Sequence, residues 1–260
     1  MSKYENPFSI AKRKTITISN DDPRSKNNSS AFLRSGSKIN TTNISGKKIL
    51  ESNWVWKLNG SAQQIESNRY RLTTATNGVA SSMWWSKPLQ LPITATFSWK
   101  LTPSGTNLGD GIVFAITNYS NPDTILGGSG GKQGIMESGY RCWGISFDAW
   151  RNLGQPSDSD GNIDPLVAAL DTNYSVTSGD VGVPLYTSEF IDLPKSNFSG
   201  THRIKITLSN TQSQVWIDDV LVLTTTSYIY GRPNDLIRVG FSGSTGQSIA
   251  NYELYNISIS

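Results

Sequence analysis

A single cysteine, Cys142, and a single histidine, His202, stand in a chain of 260 residues. One thiol cannot form an internal disulfide, so disulfides do not hold this fold together even outside a cell. Cys142 sits beside Trp143 ahead of an apolar stretch and reads as a small core residue. Charge is scarce as well. The net charge is +3, with much of the excess near the N-terminus, which is too weak and too local to point to nucleic acid. No apolar run approaches membrane-spanning length, and no apolar core near the N-terminus suggests a signal peptide. The expectation is therefore no membrane span and no conventional secretion signal, with a surface or virion location left open. Few stretches show a 3.6-residue period, and no internal repeat is visible.

What is abundant is the vocabulary of strands and turns: 23 glycines, 8 tryptophans and 10 tyrosines amid many Ser, Thr and Asn. Ala95, Phe97, Trp99 and Leu101 alternate with Thr96, Ser98 and Lys100, as a strand buried on one face requires. Gly111 to Ile116 is continuously apolar and predicts a strand buried on both faces. Further strands are expected at 70–73, 79–85, 89–91, 167–170, 202–208, 214–217, 220–223, 237–241 and 252–259, with a tight hairpin at Asp218-Asp219. Strands at short intervals without a βαβ rhythm predict an all-β sandwich. Residues 1–50, rich in Ser, Asn, Lys and Arg, read as a basic arm that is disordered alone or ordered in an assembly. Residues 51–260 form the expected globular domain.

The stretch Gly144 to Asn152 runs from a strand into a loop crowded with oxygen side chains: Asn152, Ser157, Asp158, Asp160, Asn162 and Asp164. Asp148, the Trp150 carbonyl and Asn152 alternate, so all three can face one hard cation such as calcium. The competing reading is a solvated Asp/Asn turn loop. The glycine run Gly127 to Gly131 predicts a loop, and Asp110 precedes the doubly buried strand.

Four blocks in order carry a resemblance. They are Asn59–Ala62 leading to Arg71–Thr73 and Ser86–Pro88; Gly109-Asp110-Gly111-Ile112-Val113-Phe114; Phe147-Asp148-Ala149-Trp150-Arg151-Asn152; and Val239 to Gly246. Over Trp54 to Ser260 the chain resembles the legume-lectin (L-type lectin, concanavalin-like) family. The resemblance implies a jelly-roll sandwich with a flat back sheet and a curved front sheet, which binds glycans and catalyses nothing. It implies a sugar site of Asp110, Gly131 (or Gly130), Trp150 and Asn152. A carboxylate, an amide side chain and a backbone N–H would hold the hydroxyls, and an indole face would cover the ring. It implies one calcium ion on Asp148, the Trp150 carbonyl, Asn152 and Asp164, with Asp160 and Asp158 as alternatives for the last. It further implies a cis peptide bond before Asp110. The family's transition-metal ligands are replaced by Ser146 and, by alignment, Val167, so no transition metal is expected. The segment Gly246-Gln247-Ser248-Ile249 matches the family's specificity loop but is short, which leaves the sugar unnamed.

Two other functions stand beside calcium-dependent glycan binding. One is a structural component of a capsid or surface assembly, anchored through residues 1–50, with a degenerate sugar site; homo-oligomerisation fits either. The other is a glycoside hydrolase on a similar sandwich, which needs two carboxylates across the scissile bond. No strand carries a Glu-X-Asp-X-Glu pattern, and Glu137, Glu189 and Glu253 lie apart.

Overall fold

The computed structural model describes residues 40–44, 47–51, 54–104, 108–150, 165–172, 186–226 and 235–260. The chain divides into two units, Met1–Asn53 and Trp54–Ser260, so the boundary falls three residues beyond the expected one. In the first unit, β1 (Asn40–Ile44) and β2 (Lys47–Glu51) pair antiparallel, Ile44 opposite Lys47. The compositional reading of the arm had no element here; a short β-branched and polar hairpin leaves little apolar signal.

The second unit is two seven-stranded antiparallel sheets. The front sheet contains β3 (Trp56–Gly60), β6 (Ala80–Trp85), β8 (Gly111–Thr117), β9 (Trp143–Asp148), β10 (Leu166–Asp171), β11 (Tyr186–Asp192) and β15 (Arg238–Ser244). Its order is β11-β10-β9-β8-β15-β6-β3. The back sheet contains β4 (Gln63–Glu66), β5 (Arg69–Thr73), β7 (Ile93–Pro103), β12 (Gly200–Leu208), β13 (Ser213–Ile217), β14 (Val220–Thr225) and β16 (Ala250–Ile259). Its order is β14-β13-β12-β7-β16-β5-β4.

The alternation of β7 works as expected: Ile93, Ala95, Phe97, Trp99 and Leu101 all face the core between the sheets. There Phe241 meets Phe97 and Phe114 edge-on at 4.9 and 5.3 Å, and Trp99 meets Phe147 at 4.8 Å. Each such fully buried side chain contributes about 1.5–3 kcal/mol. The unbroken apolar run of β8 has a different cause. Ile112, Phe114 and Ile116 join the inter-sheet core, whereas Val113 and Ala115 belong to a second cluster on the other face of the front sheet. That cluster is closed by Ile125, Ile135 and Met136 from the long connection after β8. Cys142 lies within it, and burial pushes its thiol up to about 12.

One expected element differs, and two strands were not expected. Residues 89–91 form only an isolated bridge, Leu89 to Ile237, because Pro88 and Pro92 flank it and neither can donate to a ladder. The polar edge strand β4 and the strand β11 had no clear periodic signature. The hairpin at Asp218-Asp219 is present, and both residues have positive φ (48° and 67°), as a two-residue turn of type I′ demands.

Register defines the two ends of this domain. Gly111 lies opposite both Asp148 and Ser244, and Ser244 lies opposite Ala80, so these share one pole. Trp56, Trp85, Arg238 and Thr117 lie at the other. In the back sheet Ala250 and Pro103 meet at the Asp110 end, while Ser260 pairs with Thr94 at the far end.

Candidate functional site

Asp110 is the last residue before β8, and the strand's register holds it against the end of β9: the Ala149 amide donates to the Asp110 carbonyl at 3.0 Å. Its side chain is 4% exposed. Burial raises its carboxyl to about 6, against the partial relief of the Asp110 and Gly246 amides. Oδ2 has no hydrogen-bond partner. A buried carboxylate oxygen left unpaired is costly, and in native proteins it calls for a ligand or water.

Two loops close on this carboxylate. Gly246 follows β15, and a β-carbon there would lie 2.9 Å from Asp110 Oδ2, so only glycine lets the backbone approach so near. The glycine run of 127–131 ends in a 3-10 turn, Gly130–Lys132. Gly130 packs against Gly246, its amide donates to the Thr245 carbonyl at 3.1 Å, and its carbonyl accepts from the Ser244 hydroxyl. Gly131 follows within the turn. Gly134, at φ 69°, presses the returning chain onto Ser81 and Gly243. Asp110 and the Gly130–Gly131 turn are therefore at one pole, around Gly246.

Asp148 is 1% exposed at the end of β9, and its Oδ1 accepts from the Trp150 amide at 3.0 Å. Trp150 itself is half-buried. Asn152, Asp158, Asp160 and Asp164 lie outside the described residues, so the sugar and calcium roles expected of them are not placed. The described part of the calcium set, a buried carboxylate in a tight Asx turn, has the hard-oxygen chemistry that ion requires. Among the described residues no three His, Cys, Asp or Glu side chains cluster as metal ligands.

Beneath both carboxylates lies Tyr252. Its hydroxyl donates to the Gly109 carbonyl, and burial, Asp110 and Asp148 together hold its ionisation well above the ordinary tyrosine range. Tyr252 is the part that sequence reasoning missed; Gly246 was expected in the specificity loop, but not its approach to the Asp110 carboxylate. Only the small-residue block Ser242–Gly246 hinted at close backbone approach. The Gly109–Asp110 peptide bond is trans, contrary to expectation; among the described residues only Leu91–Pro92 is cis.

At the position of the family's second ion, Ser146 is buried and donates to the Gln133 side-chain oxygen at 2.7 Å. Gln133 is fully buried, and its carbonyl accepts from Ser242. Val167 lies opposite Phe147 and belongs to the inter-sheet core, so it does not share a face with Ser146. The residue opposite Ser146 is Ala168. His202 is a β12 residue bonded to Asp218 at 2.7 Å and to the Ser199 carbonyl at 2.9 Å.

No family model and no curated protein matches the sequence. Solved structures do match. The lectin of Bauhinia forficata, in complex with GalNAc, aligns at TM-score 0.60 with 15% identity, over 78% of this chain and 91% of that one. Lectin I-B4 of Griffonia simplicifolia, in a metal-free form, aligns at 0.60 with 17% identity, over 80% and 92%. The exoplasmic/lumenal domain of VIP36, bound to Ca2+ and Man3GlcNAc, aligns at 0.58 with 18% identity, over 79% and 83%. At such identities the likeness is one of architecture, consistent with the two antiparallel sheets described above: residues Trp54–Ser260 have the legume-lectin jelly-roll fold.

Proposed function

We propose that this domain binds glycans without catalysis, at the pole where Asp110, the Gly130–Gly131 turn and Gly246 meet. The observation that carries the reading is the buried Asp110 carboxylate with an unpartnered Oδ2. An ionised carboxylate beside a glycine-loop amide accepts from sugar hydroxyls while the amide donates to another. In this reading Gly131 supplies that amide, Asn152 supplies a side-chain amide, and Trp150 covers the apolar face of the ring. Calcium would be held by Asp148, the Trp150 carbonyl, Asn152 and Asp164. The ion would hold the loop that carries Trp150 and Asn152. The shared fold with lectins bound to GalNAc and to Ca2+ with Man3GlcNAc supports the class of ligand. Two of the three glutamates that a hydrolase would draw on are engaged elsewhere: Glu137 is ion-paired with Lys132, and Glu253 lies in the back sheet between two arginines.

The test is a glycan array probed in calcium and again after chelation, with Asp110→Asn alongside. Specific binding that chelation and Asp110→Asn both abolish is the expected result. Binding that survives chelation would remove calcium from the reading. No binding in either condition would favour a structural role in a capsid or surface assembly.

A further inference from the structure

The back sheet carries a feature that the pole site does not use. Its outer face holds a cavity of about 380 Å3, within the usual range of small-ligand sites, roughly 300–1,000 Å3. The walls are Asn68, Arg69, Lys100, Thr201, Tyr255 and Asn256, with Glu66 at one side. The cavity is built rather than incidental. Asn68 and Asn256 both hold left-handed backbone, φ 54° and 55°, a conformation asparagine tolerates better than other non-glycine residues. The Asn256 amide donates to the Asn68 carbonyl at 3.2 Å, and the Ile257 amide donates to Asn68 Oδ1 at 3.3 Å. A bulge in β16 between Tyr255 and Ser258 opens the space beside this turn.

Charge in and under the cavity is unbalanced. Arg69 bonds Glu66 at 2.7 Å and Glu253 at 2.6 Å, and Arg71 takes the other Glu253 oxygen at 2.8 Å. Two carboxylates are thus consumed by two guanidiniums. Lys100, exposed and directly across the ladder from Glu253, has no carboxylate partner among the described residues. Around this ammonium stand amides, a threonine hydroxyl and the half-buried ring of Tyr255. An ammonium, neutral hydrogen-bonding groups and an aromatic wall together suit a hydroxylated anion.

We infer that this cavity is a second saccharide site, selective for a sugar unit bearing a carboxylate or sulfate, with Lys100 as its charge contact. A second copy of the chain is a poorer occupant. A two-fold back-to-back interface would set the same cationic patch against itself, and lysine is depleted from such interfaces.

The full chain is titrated calorimetrically in EDTA with a galacturonic-acid trisaccharide, with the neutral galactose trisaccharide, and with inorganic sulfate as competitor. The acidic trisaccharide should bind, the neutral one should not, and equimolar sulfate should not displace it. Lys100→Gln should weaken binding by at least about fivefold, as loss of a charge-assisted contact does. Lys205→Gln removes the same charge from the same face, where Lys205 lies over Trp216 at 4.5 Å, and should change affinity by less than about twofold. Failure of the acidic trisaccharide to bind would overturn the inference. So would equal losses in the two variants, full displacement by sulfate, or a dimer in sedimentation that Lys100→Gln dissociates.

Discussion

Asp110 couples binding and stability to pH in opposite directions. Burial lifts its carboxyl from 3.8 to about 6. An acid held above its unfolded value binds protons more tightly when folded, so the unliganded domain loses stability as pH rises from 3.8 through about 6. The loss amounts to at most about 3 kcal/mol at neutral pH. Glu253 and Asp218, held below the ordinary carboxylate range by arginines and by His202 with Arg203, pull the other way as acid is added. The Asp110 contribution is therefore read as the difference between wild type and Asp110→Asn in urea unfolding from pH 4 to 7 in EDTA; the variant should gain relative stability towards pH 7. Glycan binding should fall as pH drops below about 6, because the protonated acid loses acceptor capacity. Gly246 gives a second residue-scale prediction. The β-carbon of Gly246→Ala would lie 2.9 Å from a carboxylate oxygen that can move aside. The fold should persist by circular dichroism while glycan affinity falls by about tenfold. Asp110 was legible in the sequence as an acid poised before an apolar run. Gly246 was legible as part of a loop motif, but its contact with Asp110 and the placing of Tyr252 were not, because these join positions more than 130 residues apart and no local pattern encodes them.

Elements carried more of the legible signal, and their errors are instructive. The alternation of β7 and the unbroken apolar run of β8 both predicted the burial observed. The second core that explains β8, however, is made by a connection with no periodicity of its own. Proline decided residues 89–91, which flanking Pro88 and Pro92 hold to a single bridge. The Asp218-Asp219 turn was read correctly from its two short flanking runs, and its geometry yields a prediction. Asp219 holds positive φ (67°), and among the described residues its side chain makes only an exposed ion pair with Arg203. Exposed pairs contribute little. Asp219→Gly relieves the backbone and should raise the melting temperature by about 2 °C, measured by scanning calorimetry. Asp218 has the same backbone but also accepts from the Arg203 amide at 2.8 Å and bonds His202, so it does not offer the same gain.

At the scale of the whole domain, stability rests on two apolar clusters that share the front sheet, with no cross-link. Cys142 lies in the smaller cluster, fully buried, with its thiol pushed up to about 12. Thiolate chemistry at neutral pH is thereby suppressed. Iodoacetamide should label Cys142 only as fast as that cluster opens, so the labelling rate along a urea series reports the free energy of opening and should track loss of tryptophan fluorescence. A domain dominated by pairings distant in sequence, such as β7 with β16 and β8 with β15, should also fold slowly.

Trp54 enters the domain next to the Trp56 end of the front sheet, and Ser260 leaves it beside Thr94. Both ends of this domain are thus remote from the pole of Asp110 and Gly246. Tethered at either end to a bead, a particle or another polypeptide, the domain would project that pole away from its support. Orientation for display is in this sense a property of the strand order, established before any anchoring sequence is chosen.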